Sequence, residues 1–174
     1  LISAQPKDKA EPGGPFDRTI EKSNKAIKLH SIKAKPAKKP GWRNNPKLRA
    51  IQEQEEYNPF LKNSWLIMGQ AQFYNADFLQ ASATFSYIAR HYAKDEEVVA
   101  EARLWQARCY SEMGWFYESE DILDKMNKNG IPASVLKQYA AVYADYLIKN
   151  GQFEDAIPYL KTAIKAEKNR KQRT

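Results

Sequence analysis

The sequence has few of the residues on which most catalytic and metal sites depend. Its 174 residues include a single cysteine, Cys109, so neither an intrachain disulfide nor a multi-cysteine metal site can form. The two histidines, His30 and His91, stand 61 positions apart and give no ligand motif. No glycine-rich phosphate loop and no serine, histidine and aspartate set is present. We therefore expect a protein that is not an enzyme and holds no cofactor or metal, with Cys109 as a small buried filler.

Long apolar runs are also missing. No stretch approaches the roughly 20 apolar residues that a helix needs to cross a bilayer. The first residue is leucine, and no basic-then-apolar leader follows it. We expect the sequence to begin inside a longer gene product, so that a signal peptide or lipid anchor would lie upstream of Leu1.

The chain carries an excess of positive charge, which is unevenly distributed along the sequence. Residues 1–60 carry a net charge of +6, residues 61–160 a net charge of −4, and residues 161–174 a net charge of +5. A basic protein can bind nucleic acid or anionic lipid. Here the positive excess lies in the flanks, while the apolar, periodic middle is mildly acidic. This distribution favours solvated flanks, and we expect no nucleic-acid partner.

Composition divides the chain into four parts. Residues 1–16 are rich in proline and glycine and indicate a flexible linker. A helical pattern capped by Asp17 covers 17–32. Residues 33–57 form a basic, proline-rich insertion that ends in a short helix, since proline interrupts a continuous helix. From 58 to 174, amphipathic helical segments follow one another between turn signals, with a basic tail.

Residues 58–174 contain a repeated pattern. Three small residues in tight turns, Ala76, Gly114 and Gly151, are spaced by 38 and 37 positions. Small residues at a helix crossing let two helices approach closely, and a large apolar residue one turn away fills the groove between them. The same residue types recur at fixed distances from each turn: Gly69, Ala107 and Ala144 before it, then Phe78, Phe116 and Phe153, then Ala81, Ser119 and Ala156, then Phe85, Leu123 and Leu160.

This pattern resembles the tetratricopeptide repeat. Trp65-x-x-Met68-Gly69 and Ala81-x-x-x-Phe85 are close to the family's W-x-x-L-G and A-x-x-x-F, although Gln72 stands at the family's tyrosine position. The resemblance implies an all-α fold: antiparallel helix pairs stacked as a tetratricopeptide-like right-handed superhelix, an α-solenoid. It places three repeats at about 62–95, 100–133 and 137–170, and makes 17–32 the isolated second helix of an incomplete repeat.

By the same resemblance, the first helix of each repeat lines a concave face that binds protein. The candidate residues on that face are Leu66, Gln70, Phe73, Tyr74, Leu104, Arg108, Ser111, Glu112, Asp145, Ile148 and Lys149. Chaperone-binding relatives grip a terminal carboxylate with basic and amide residues. At those positions this chain has Leu66, Gln70, Gln138 and Val142, so that clamp is absent. An extended peptide and a flat protein partner both remain open.

The basic insertion offers a second candidate surface. Basic side chains surround one tryptophan, and together they could dock on lipid head groups or on an acidic partner. A solvated insertion between helices is the simpler interpretation. The candidate docking loop consists of Lys35, Lys38, Lys39, Trp42 and Arg43.

Four stretches suggest a narrower group. They are IEKSNKAIKLHSIKAKP, EEYNPFLKNSWLIMGQAQF, FLQASATFSYIARHY and AEARLWQARCYSEMGWFYESEDIL, and they resemble the PorW/SprE family of Bacteroidetes lipoproteins over residues 17–127. That family serves the type IX secretion system and gliding motility. The resemblance implies a non-catalytic scaffold in the periplasm, associated with the outer membrane through a lipid anchor outside this chain. Its partners would be the secretion translocon or its periplasmic ring components.

Two other functions stay open. A generic tetratricopeptide adaptor, or a factor for outer-membrane assembly, would use the same helical surface. RNA binding by helical repeats is less expected, because the inner positions do not vary in a base-reading manner and basic flanks alone give unspecific, salt-sensitive affinity.

Overall fold

The computed structural model describes residues 14–33, 37–53 and 58–171, with side chains described at 14–30, 37–53 and 58–165. This part of the chain is helical throughout and holds no strand, which confirms the predicted all-α class. Most of the predicted linker 1–16, part of the insertion 33–57 and the end of the basic tail lie outside the described residues. The helices are α1 (Asp17–Lys33), α2 (Pro46–Glu53), α3 (Leu61–Tyr74), α4 (Phe78–His91), α5 (Glu96–Glu112), α6 (Phe116–Asn129), α7 (Leu136–Lys149) and α8 (Phe153–Lys171), with a 3₁₀ turn at Trp42–Asn44.

Helices α3, α5 and α7 each end in the same tight turn. Ala76, Gly114 and Gly151 adopt left-handed backbone conformations, with φ of 61°, 73° and 78°. At each turn the next backbone N–H returns to a carbonyl of the last helical turn, for example from Asp77 to Gln72 at 3.0 Å. This is the Schellman arrangement, which satisfies carbonyls left free at a helix end. The following helix therefore starts at once and runs back antiparallel.

Close crossings hold each helix pair together. Gly69 lies against Phe85 so tightly that a Cβ there would stand 2.7 Å from the ring carbon Cζ. Ala107 and Ala144, at the same place in the next two pairs, are 0% exposed. The small residues predicted for the crossings thus lie inside the molecule, and the pairs are α3/α4, α5/α6 and α7/α8.

The pairs stack side by side. Helix α1 packs on α3, α4 packs along α5, and α5 also meets α7, so each pair buries the apolar face of its neighbour. One core, between the first and second pairs, centres on Phe85, Ile88 and Cys109. A second core, between the second and third pairs, centres on Leu123 and Tyr146. Helix α2 packs on the 3₁₀ turn.

Hydrogen bonds between buried polar groups connect the two helices of a pair. In the first pair, one of them involves Gln72, which stands at the family's tyrosine position. Gln72 is 7% exposed and accepts a hydrogen bond from the Thr84 hydroxyl at 2.7 Å. In the second pair the Ser119 hydroxyl donates to the Ala107 carbonyl at 3.0 Å and also bonds Ser111. A buried polar group is tolerated only where it is hydrogen-bonded, so these bonds tie paired helices in one register.

The last helix runs through a proline. Pro158 lies inside α8, which stays helical from Phe153 to Lys171. Proline removes one backbone hydrogen bond near the helix start but does not stop the helix here. Among the described residues, no helix is both long and apolar enough to cross a membrane.

Candidate protein-binding surface

A groove of about 390 Å³ runs between α5 and α7, on the face that first helices were predicted to line. It brings together five of the predicted side chains: Leu104, Arg108, Glu112, Asp145 and Lys149. Its other lining residues are Trp105, Gln138, Ala141 and Val142.

The floor of the groove is apolar. Leu104 is 2% exposed and Val142 is 8% exposed, so they present only a small part of their surface, while Ala141 opens to solvent. Trp105 forms part of the wall and was not predicted. A signal for it existed, because positions 105, 108 and 112 recur at helical spacing on one side of α5. The apolar strip suits the side chains of another polypeptide.

One end of the groove holds a three-residue ion cluster. The Lys149 ammonium lies 2.5 Å from a Glu112 carboxylate oxygen and 2.7 Å from an Asp145 oxygen. Burial by itself lowers the pKa of Lys149, but the hydrogen bonds to Asp145 and Glu112 outweigh it, and the net pKa is raised. Lys149 therefore stays charged and links α5 to α7 across the groove.

The preceding helical turn of α5 is supported by aromatic rings. The Arg108 guanidinium carbon lies 4.3 Å from the centroid of the Trp105 ring and 4.7 Å from that of Phe73. Burial raises the pKa of Glu101, and a hydrogen bond from the Trp105 indole partly opposes that rise. Gln70 donates to the same carboxyl at 3.4 Å, so α3 and α5 hold the ring platform in place together.

The remaining predicted residues separate into exposed and buried ones. Tyr74 is 55% exposed and lies 6.0 Å from Trp105 between ring centroids, so it extends the aromatic surface. Ile148 is 41% exposed but does not line the groove.

Three other predicted contact positions are buried and do not line the groove: Leu66, Phe73 and Ser111 are 7%, 6% and 3% exposed. Leu66 and Phe73 belong to the core between the first two pairs, and Ser111 bonds Ser119 inside the second pair. They support the surface from beneath, because Phe73 contacts Phe78 of α4 and Trp105 of α5, and Ser111 contacts Ser119 of α6.

The basic docking loop folds onto its own tryptophan. The Lys38 ammonium and the Arg43 guanidinium lie 5.6 Å and 5.5 Å from the centroid of the half-buried Trp42 ring. Lys39 is exposed, and Lys35 lies outside the described residues. Trp42 is thus occupied by cations of its own loop, which agrees with a solvated insertion and leaves the docking hypothesis untested.

Other candidates for a reactive or ligand-binding site have structural roles instead. Cys109 is 0% exposed, and burial raises the pKa of its thiol to about 12, so it is not reactive. Among the described residues, no three histidine, cysteine or acidic side chains stand close enough to share a metal ion. A hollow of about 550 Å³ lies on another side of α5, but its cations Arg103 and Lys125 already bond Gln106 and Asp121.

The comparison with protein families agrees with this geometry. No curated protein and no solved structure matches the chain. One family model does: the SusR N-terminal TPR domain, over residues 72–174, which is more than half of the chain. Tetratricopeptide (TPR) domains of this kind are protein-interaction scaffolds. The chain, with its stacked helix pairs and its groove between α5 and α7, belongs to the family of SusR N-terminal TPR domains.

Proposed function

We propose that this protein-interaction scaffold works in the periplasm, associated with the outer membrane, as a component of the type IX secretion system. In that role it would serve protein secretion and gliding motility by capturing a partner polypeptide in the groove between α5 and α7. The partners would be the secretion translocon or its periplasmic ring components. The chain would reach the membrane through a lipid anchor outside residues 1–174.

The groove is the observation that carries the capture of a polypeptide. Its apolar floor of Leu104 and Val142 lies beside charged side chains of both helices, and the face stays open along α5 and α7. Apolar anchors with a polar rim are the usual composition of protein-binding surfaces. An extended segment would place side chains on the floor and its backbone near Arg108 or Gln138.

The secretion role is supported by the sequence stretches that resemble the PorW/SprE family. The stretch AEARLWQARCYSEMGWFYESEDIL contains the groove residues of α5, and IEKSNKAIKLHSIKAKP contains residues 20–33 of α1. A resemblance that includes Leu104, Trp105 and Arg108 concerns the candidate binding surface itself.

A site-specific cross-link in the native organism tests both parts. A photoreactive amino acid at Ala141, at the open side of the groove, should capture an envelope component of the secretion system. The same group at Ser86 on α4, which does not line the groove, is the matched control. Cell fractionation should recover the full-length protein with the outer membrane.

Two results would contradict the proposal. Equal capture from Ala141 and Ser86 would reject the groove as the contact surface. Capture of cytosolic proteins from Ala141, with the protein in the soluble fraction, would reject the secretion role and leave polypeptide binding standing.

A generic tetratricopeptide adaptor is the second candidate. The family match favours it, because the matched description names a TPR domain and no secretion component. An adaptor would use the same groove, so the identity of the captured partner distinguishes the two functions.

A further inference from the structure

Two cations line the groove, and their surroundings differ. Lys149 lies between the carboxylates of Glu112 and Asp145. The Arg108 guanidinium, by contrast, has no hydrogen bond or ion pair with any carboxylate in the described ranges 14–30, 37–53 and 58–165. Arg108 is therefore the groove cation that remains available to a ligand.

The carboxylates that could neutralise Arg108 are engaged elsewhere. Glu112 follows Arg108 by one helical turn, a spacing that permits an ion pair, but its carboxylate lies 2.5 Å from Lys149 instead. Glu101 accepts hydrogen bonds from Trp105 and Gln70. Asp145, the other carboxylate that lines the groove, is paired with Lys149, so all three carboxylates are held by other donors.

The guanidinium is also held in position. Phe73 and Trp105 lie within 4.7 Å of its carbon atom and contact it through their rings. Such cation–π contacts attract the planar group but use none of its five N–H donors. A carboxylate bonded to a fixed, half-buried guanidinium gains more than it would from a mobile surface lysine.

We propose that the groove selects a polypeptide segment with an aspartate or glutamate side chain that binds Arg108. An apolar neighbour of that acidic residue rests on the exposed Ala141, beside the small accessible parts of Leu104 and Val142. This inference rests on the proposed function, because it requires that the groove bind a polypeptide at all. It adds the chemical class of the segment and names Arg108 as the residue that determines specificity.

Selection of displayed peptides tests the proposal. A library of random peptides of about 12 residues is selected against the 174-residue chain and against Arg108→Gln and Arg108→Glu variants. Lys125→Gln is the matched control, since it removes one positive charge from α6 outside the groove. Thermal unfolding followed by circular dichroism shows that each variant is folded.

The wild-type chain and Lys125→Gln should enrich peptides with an acidic residue beside an apolar one. Arg108→Gln should lose the acidic preference, and Arg108→Glu should reverse it toward lysine and arginine. For one selected peptide, exchanging its acidic residue for the amide should weaken the Kd by roughly tenfold to a hundredfold. The same exchange should have little effect on binding to Arg108→Gln.

Two results would overturn the inference in distinguishable ways. Peptides selected without an acidic preference, or with the same preference in Arg108→Gln, would reject Arg108 as the specificity residue and leave the groove as a binding surface. Peptides that bind equally well to a groove-filling Ala141→Trp variant, or no enrichment at all, would reject the proposed function as well.

Discussion

Gly69 shows how a single residue sets the distance between two helices. Alanine at this position would place its Cβ 2.7 Å from Phe85, which is 0% exposed and stacked on Trp105, so the ring has no free space to enter. Overpacking a core costs about 1–3 kcal/mol. The better helix propensity of alanine returns about 1 kcal/mol. We therefore expect Gly69→Ala to lower the free energy of unfolding by up to about 2 kcal/mol in urea denaturation.

A smaller partner residue provides the control. Phe85→Leu alone should destabilise the protein, but Gly69→Ala combined with Phe85→Leu should be more stable than the sum of the two single effects. Additive effects would show that Gly69 is not required by contact with Phe85.

Asp95 makes the stability of the folded protein depend on pH. It caps α5 by accepting from the Val98 N–H, and Lys62 of α3 lies 2.8 Å from its carboxylate. The hydrogen bond from Lys62 is the main cause that holds the pKa of Asp95 below its ordinary value of 3.8, against the opposing effect of burial. The ionised form therefore stabilises the folded state above about pH 4, and this contribution is lost as the pH falls through the lower folded-state pKa.

Replacement by asparagine isolates that contribution, because asparagine also caps helices well. Asp95→Asn should lower the free energy of unfolding at pH 7 by less than about 1 kcal/mol, since the pair is partly exposed, and the difference from wild type should shrink below pH 4. Asp77→Asn is the control: Asp77 caps α4 and has no lysine partner among the described residues. Equal pH profiles for both variants would contradict the assigned role of Lys62.

At the scale of elements, the turn after α3 differs from its two equivalents. Ala76 has the left-handed backbone that glycine adopts at Gly114 and Gly151. A side chain in this conformation costs about 1–2 kcal/mol, while glycine loses about 0.5–1 kcal/mol in chain entropy. Ala76→Gly should therefore stabilise the protein by up to about 1 kcal/mol, and Gly114→Ala should destabilise it by about 1 kcal/mol. Thermal unfolding of the two variants checks this, and effects of the same sign would contradict it.

Helix α8, the last helix of the stack, is less buried than the equivalent helix α6. Leu123 and Leu160 occupy the same repeat position, but they are 0% and 40% exposed. Leu123→Ala should cost about 2–5 kcal/mol, the usual range for a buried leucine, and Leu160→Ala less than about half of that. Chemical denaturation of both variants measures the difference. Equal losses would show that α8 is packed as tightly as α6.

Repeated spacing allowed much of this arrangement to be predicted from the sequence. The turns at Gly114 and Gly151 and the buried crossing at Ala107 follow from residue types that recur at fixed distances. The repeat pattern, through its resemblance to the tetratricopeptide family, also assigned Arg108 to the face that lines the groove. It could not show that Ser111 is buried, because spacing fixes the side of a helix but not the depth of the neighbouring helix. It also could not show that Lys149 bonds Glu112, a contact across 37 residues.

At the scale of the whole molecule, stacked pairs turn local crossings into one continuous surface. Phe73 from α3 supports Arg108 on α5, and Glu112 on α5 holds Lys149 on α7. Each pair therefore contributes to the surface of the next, and no single pair contains the groove. The described flank cations, such as Lys39 and Arg43, do not line this groove.

The most direct measurement of the central claim is a map of contacts in solution. Backbone amide shifts of the 174-residue chain are recorded by NMR while a selected peptide is added. The largest changes should fall on α5 and α7, at Leu104, Trp105, Arg108, Ala141 and Val142. Changes concentrated on α4 and α6, with these five amides unmoved, would contradict the claim that the groove is where this protein binds its partner.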